Sequence, residues 1–321
     1  MGLRRHCDAL EEQGIGLHPM KNQSADFRKD NLYFYSQYCF LRSVSPEAIH
    51  QEILNKIENL CEWSCEVNGE SVDFYYKNME WESNYFNINS IKLEYVLYNS
   101  VEFEDLVRAC RKFHQEFILN SRAYCYFEIP PEDHIFLQAM TAAGFRLIET
   151  RLHYYFNKTA ELSSTRHKHR HATEIDIPSI RRASSSMRNR FDRFHADVKF
   201  DDQVADQYLG TFAENCVRAL SDIVLVPNEA QLPVGSFMAA SYLKDSWGKH
   251  GINLSKLDLA AVLPINKGWY AKLLGEVMKL LIEEGADYIG TNTQATNRSV
   301  LHMYEKFGFK YGRTTHILAS N

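Results

Sequence analysis

Two stretches of this chain end in the same way. Residues 140–150 read MTAAGFRLIET and residues 303–314 read MYEKFGFKYGRT: in each, a helix-forming run stops at a glycine and a strand-forming run follows. The two glycines, Gly144 and Gly308, stand 164 positions apart, about one domain length. A chain of 321 residues is long for a single hydrophobic core, so an echo at this spacing argues for two units, expected at 1–160 and 161–321. The copies differ where chemistry would sit. Four residues before its glycine the second has Tyr304 and the first has Met140.

Apolar periodicity lays out the rest. After some twenty aperiodic residues, 33–42 reads as a strand rich in Tyr and Phe, and the run from Pro46 to Trp63 as a helix carrying Cys61, with Cys65 one turn further on as a second packing residue. Strands are expected within 85–98, 123–129 and 145–156, alternating with helices over 103–118 and 133–144. The polar segment 157–171 is the best linker. Its His167, His169 and His171 alternate with Arg and Lys, and no carboxylate completes a metal set, so they read as solvated. The second half restarts with a strand and a helix opening near Pro178, a helix over 202–220, a hairpin around 228–233, a strand ending at Pro264, a long helix from Lys267, a strand over 287–294, and the closing helix and strand. This is an α/β (α+β) pattern of mixed sheets flanked by helices.

Composition excludes several classes. No run of about 18 apolar residues and no signal peptide is present, which points to a cytoplasmic protein without membrane partners. Seven scattered cysteines, none in a Cys-x-x-Cys pair, fit reduced thiols, and no metal is expected. A net charge of −5 argues against nucleic acid. Charge is uneven, however: Arg181, Arg182, Arg188, Arg190 and Arg193 face a single acid, Asp192, over 181–193. That run is either a solvated helix face or an anion site for a phosphorylated small molecule.

The loop Asn266-Lys267-Gly268 ends a strand and opens a helix, which places unpaired N–H groups at a positive helix end beside Lys267. In the last helix Val300, Met303, Tyr304 and Phe307 share a face, so periodicity alone makes Tyr304 a core aromatic.

Taken together, Val262-Leu263-Pro264, Lys267-Gly268, the long helix, Thr293-Gln294, Asn297, Tyr304 and Gly308-Phe309 resemble the GNAT superfamily of acyl-CoA-dependent N-acyltransferases. Within it, WESNYF (81–86), Arg193-Phe194-His195 with Asp197, and TQATN (293–297) resemble the nucleotide-sugar N-acyltransferases of the TDP-fucosamine acetyltransferase type. The likeness covers most of 75–318. It implies two tandem GNAT-like units, the N-terminal one incomplete, and an acyl-CoA co-substrate carrying an acetyl or short hydroxyacyl group. Its pantetheine arm would pair with backbone at Ala260 and Val262, and its pyrophosphate would meet the amides of Lys267, Gly268, Trp269, Tyr270 and Ala271. Asn297 would lie beside the pantetheine, and Tyr304 would protonate the leaving thiolate as an amino group of a dTDP-linked amino-deoxysugar attacks. Arg193, His195 and Asp197 would face that sugar, and the base that deprotonates it is left open among His195, Asp197 and a water chain. The chain departs from the family at Tyr270 and Lys272, where small residues are usual. The alternatives are a Fem-type aminoacyl-tRNA-dependent transferase and a non-catalytic acyl-CoA-binding module. A homodimer is compatible with the aromatic content.

Overall fold

Over most of the chain the apolar periodicities become strands and helices where expected. The computed structural model describes residues 32–41 and 43–320. Its first half comprises α1 (Pro46–Ile57), β1 (Cys61–Val67), β2 (Glu70–Asn78), α2 (Glu80–Phe86), β3 (Asn89–Tyr98), α3 (Phe103–Lys112), β4 (Ala123–Ile129), α4 (His134–Ala142) and β5 (Arg146–Asn157). The second comprises β6 (His169–His171), α5 (Ile177–Ser186), α6 (Arg193–Ala196), α7 (Asp202–Asn215), β7 (Ile223–Pro227), β8 (Ser236–Ser241), β9 (Leu254–Val262), α8 (Trp269–Glu283), β10 (Tyr288–Gln294), α9 (Arg298–Lys306) and β11 (Lys310–Ser320).

The strands form one mixed sheet in the order β1-β2-β3-β4-β11-β5-β10-β9-β8-β7-β6. The pairs β3–β4 and β9–β10 are parallel, and the other neighbours are antiparallel. The α/β class read from the sequence holds, and the halves share the sheet: β11, last in the chain, lies between β4 and β5 of the first half. Because side chains alternate along a strand, β7 serves two cores. Ile223 and Leu225 pack with α8 residues Leu273, Leu274 and Val277. Val224 and Val226 face the other way, toward Ile180 of α5 and Ala213 of α7.

Three expectations change. Residues 32–40 form a helical turn and bends rather than a strand, because the aromatic run is spent on packing and on local bonds such as those from the Tyr33 hydroxyl to the carbonyls of Cys39 and Leu41. Arg42 and the first residues lie outside the described residues. Cys61 and Cys65 sit on β1, not on a helix. The reason is Asn68-Gly69, at φ 50° and 84°, a two-residue turn of the kind that closes a β-hairpin. The polar segment before α5 is also more than a solvated linker. It supplies β6, which pairs with β7, and the buried Glu276 of α8 receives the His167 N–H and lies near Arg166, His169 and Lys279. Among the described residues no helix is long and apolar enough to cross a membrane.

A buried ion pair ties the halves together away from the sheet. Arg193 of α6 donates to Glu82 of α2 at 2.5 and 3.2 Å, and its guanidinium lies 3.7 Å above the Tyr126 ring. Both side chains are 7% exposed. Removing one member of such a pair strands the other's charge in a dry site, at a cost of about 3–5 kcal/mol. Urea unfolding of Arg193→Met should register a loss of this size, and Glu82→Gln with Arg193→Met should recover much of it. Equal losses in the single and double variants would exclude the stranded charge as the cause.

Candidate functional site

The site begins with a fault in the sheet. On the β8 side of β9 the register slips between Ala239/Leu259 and Ala240/Leu257, which leaves Asp258 as an extra residue. Its carboxylate accepts from the Ser221 and Ser241 hydroxyls and pairs with Lys256 at 2.9 Å. On the other side, β9 and β10 pair in parallel over Leu254–Lys256 and Tyr288–Gly290, and no further. Beyond that point the strands part, and a cleft of about 270 Å³ opens between them. Leu257 to Ala261 form one wall, and Thr291 to Gln294 with Asn297, Val300 and Tyr304 form the other. The end of α5 and the segment after it, with Met187, Asn189 and Asp192, cover the gap.

The first half has the same fault at the same spacing. The β2–β3 register slips at Tyr75/Tyr95 and Tyr76/Leu93, leaving Glu94, and Lys92-Leu93-Glu94 stands 164 positions before Lys256-Leu257-Asp258. There the gap is narrowed to a pocket of about 80 Å³. Tyr35 stacks on Phe127 with ring centroids 5.8 Å apart and its hydroxyl donates to Asp133 at 2.6 Å. Arg313 holds the carbonyls of Phe34 and Tyr35, each at 2.9 Å.

At the floor of the open cleft three hydroxyls meet. Thr291 donates to the Tyr304 oxygen at 2.9 Å, and the Tyr270 side chain lies beside that hydroxyl. Burial pushes the Tyr304 hydroxyl above the ordinary tyrosine value, and the Thr291 bond and the neighbouring Tyr270 hydroxyl pull it back. Burial beside Tyr304 holds Tyr270 well above that value. The positions 164 residues earlier are Leu106, Phe127 and Met140, all in the buried core of the first half. One frame therefore carries an apolar trio in one copy and a hydroxyl trio in the other.

The loop from β9 to α8 is held from below. Asn266 is 1% exposed, and its side-chain amide donates to the Pro233 carbonyl at 3.1 Å. The Leu263 N–H donates to the Gly235 carbonyl at 2.8 Å. A Cβ on Gly235 would lie 2.2 Å from Asn266 Oδ1, so this contact requires glycine. Lys267 and Gly268 follow, both exposed, and Gly268 at φ 92° opens α8 without a side-chain cap. Trp269 is buried in the core, Tyr270 turns into the cleft, and Ala271 is half-buried. Lys272 lies 4.5 Å over the Trp269 ring and 3.4 Å from Glu229.

The other expected site residues divide. Ala260, Asn297 and Tyr304 line the cleft together. Val262 lies on the same strand, paired with Ser236. Asn297 stands at the start of α9 but does not cap it; its amide turns back to Thr293 at 3.1 Å. Arg193 and Asp197, expected to face an acceptor, are occupied by protein groups and do not line the cleft. Arg193 is in the Glu82 pair, and Asp197 accepts from Tyr124 and Arg146, each at 3.1 Å. His195 also stands back from the cleft, its side chain 1% exposed, with Nδ1 2.8 Å from Asp192 and Nε2 3.2 Å from Asp206. Burial would lower its pKa, but the two carboxylates outweigh it and raise it. The arginine run is largely neutralised too: Arg181 pairs with Glu214, and Arg188 with Asp202 and Asp206. Asp192, Thr291 and Asn266 were missed. The repeat spacing signals Thr291, since it pairs that position with a phenylalanine, but nothing local marks the other two.

Among the described residues no group of three or more His, Cys, Asp or Glu is placed to hold a metal ion. No protein-family model and no curated protein matches the chain. Solved structures do. A GCN5-related N-acetyltransferase from Sphaerobacter thermophilus is 13% identical and superposes over 92% of each chain at a TM-score of 0.57. A functionally unknown conserved protein from Staphylococcus epidermidis is 12% identical over 81% of this chain and 94% of that one, at 0.53. A GCN5-related glucosamine N-acetyltransferase region in a fungal multi-domain GH3 beta-N-acetylglucosaminidase is 8% identical, at 0.53, over 92% of this chain and 37% of that one. At these identities the likeness is one of fold.

Thr291→Val removes a donor that stabilises the ionised form of Tyr304, so the Tyr304 pKa should rise. Tyrosine labelled with ¹³C at Cζ reports this by NMR titration. An unchanged or lowered Tyr304 value would show that the Thr291 bond does not govern that hydroxyl.

Proposed function

We propose that this protein transfers an acyl group from acyl-CoA to an amine, with residues 161–321 as the catalytic unit and 1–160 as its incomplete partner. The observation that carries the reading is the parted β9–β10 pair with the Tyr304 hydroxyl at its floor, beside a helix start whose amides are uncapped. The residues present suit the co-substrate in three ways. The β9 edge from Leu257 onward has no strand partner on the β10 side and offers backbone groups to an amide-bearing arm. The exposed Lys267 and the first amides of α8 suit a diphosphate. Asn297 lines the cleft close to where such an arm would pass.

Bound acyl-CoA supplies an activated thioester; the chain supplies position and protons. Tyr304 gives its proton to the departing sulfur. Its oxygen already accepts from Thr291, so its own proton remains to be donated. For the acceptor, a dTDP-linked amino-deoxysugar remains the finer reading, supported by the resemblance of 193–197 and 293–297. The charged residues that line the cleft are Asp192 and Asp258, which favours the sugar's ammonium there and leaves its diphosphate to a region outside, where Arg182 and Arg190 are exposed.

Acetyl-CoA incubated with a dTDP-aminohexose should release free thiol. Tyr304→Phe should lower kcat about 10²-fold, in the usual range for a lost general acid, with acetyl-CoA affinity unchanged; a non-catalytic binder would release no thiol even as the wild type. Asn266→Ala should raise KM for acetyl-CoA roughly tenfold, a loss the size of one buried hydrogen bond, and leave acetyl-pantetheine, which lacks the diphosphate, unaffected. An equal defect with both donors would dissociate Asn266 from the diphosphate end.

A further inference from the structure

An amine acceptor reaches neutral solution as an ammonium ion and must lose a proton before it can attack, so the cleft needs an exit for that proton. Tyr304 is committed as an acid, and Asp258 is bound to two serines and Lys256. Asp192 is the other charged group of the cleft lining. It also leads elsewhere. One of its oxygens caps α6, accepting from the Phe194 and His195 N–H groups at 3.0 Å each, and the other lies 2.8 Å from His195 Nδ1. On the far side of the ring, Nε2 lies 3.2 Å from Asp206. Asp206 is held by Arg188, which also reaches Asp202, a side chain 62% exposed. A buried imidazole thus bridges a carboxylate in the cleft and a carboxylate near the surface.

We propose that Asp192, His195 and Asp206 form a proton exit from the acceptor end of the cleft to solvent, with Asp192 receiving the ammonium proton and His195 and Asp206 passing it outward. The inference rests on the acyl-transfer reading. Per turnover, the ammonium gives one proton to Asp192. Asp192 passes it to His195 Nδ1, and His195 Nε2 releases one through Asp206. The freed nitrogen forms the C–N bond as the C–S bond breaks; Tyr304 protonates the sulfur and recovers its proton from the same nitrogen. The balance is one amide, one thiol and one proton delivered to solvent. Here Asp192 faces the substrate, while His195 and Asp206 act through it.

The test compares wild type with His195→Gln and Asp206→Asn, using acetyl-CoA with two acceptors. A dTDP-aminohexose, or ethanolamine in its place, is the ammonium acceptor; hydroxylamine is already neutral at about pH 7. Both variants should lose about 30-fold or more in kcat/KM for the ammonium acceptor at about pH 7, within the range general-base groups supply. The loss should shrink to about threefold or less near pH 10, where the free amine predominates, and be equally small with hydroxylamine at about pH 7. A defect of the same size at every pH and with both acceptors assigns these residues a structural role and overturns the exit. Full activity in both variants overturns it as well. A wild type that acetylates none of the acceptors defeats the acyl-transfer reading itself. Circular dichroism identifies a variant that does not fold, and the other then decides.

Discussion

Two parallel strands that stop pairing after three residues are an expense a sheet does not bear without cause, since each backbone group beyond the break loses its ladder partner. Here the break has a visible origin. One extra residue, Asp258, is inserted on the opposite edge of β9, and its carboxylate is fixed by Ser221, Ser241 and Lys256. A bulge bends its strand and increases the local twist, so β9 leaves β10 at the point where the bulge acts. The cleft, the free strand edge and the access of solvent to the Tyr304 region follow from it. The buried carboxylate is fixed by neighbours on three sides, which makes the distortion specific rather than loose.

The first half shows what the same backbone does when it is given no chemistry. Glu94 occupies the position of Asp258 and pairs with Lys77 and Lys92, so the distortion is present. Tyr35 narrows its opening to a pocket of about 80 Å³, and the positions of Tyr270, Thr291 and Tyr304 hold Leu106, Phe127 and Met140. Hydroxyls in a floor that could have been apolar each cost desolvation unless bonded, and here Thr291 bonds to Tyr304. The halves are also inseparable in structure. β11 pairs with β4 and β5, and the Glu82–Arg193 pair joins α2 to α6. The first half contributes β4 and β5, the sheet neighbours of β11 and β10.

Much of this was legible in the sequence because it rests on local rules. Helix ends at Gly144 and Gly308, the apolar stripe of α9 and the strand ending near Pro264 are local events, and the structure has α4, α9 and β9 where these signals put them. The hairpin of β1 and β2 was equally local, signalled by Asn68-Gly69, but the cysteines at helical spacing drew the reading toward a helix. What sequence could not give were partners distant in the chain. Arg193 and Glu82 are 111 positions apart, so the sequence left the arginine run open between a solvated face and an anion site, whereas in the structure Arg181, Arg188 and Arg193 are bound to carboxylates. His195 stood out as a residue type, yet its position behind Asp192 depends on how α6 and α7 pack. Asn266 carried no signal, because its value lies in a carbonyl 33 residues away.

Tyr270 is the residue that most tests an enzymatic reading, because a small residue there would let a diphosphate approach the backbone closely. Its side chain is not idle bulk. It runs from the first turn of α8 into the cleft, beside the Tyr304 hydroxyl that Thr291 reaches. A phenol oxygen that accepts from Thr291 keeps its own proton to donate. A module that merely bound a thioester would gain nothing from fixing that proton, and an apolar floor like that of the first half would serve it with less desolvation. On the acyl-transfer reading proposed above, the tyrosine would exchange some closeness at a diphosphate for a polar group beside the Tyr304 hydroxyl.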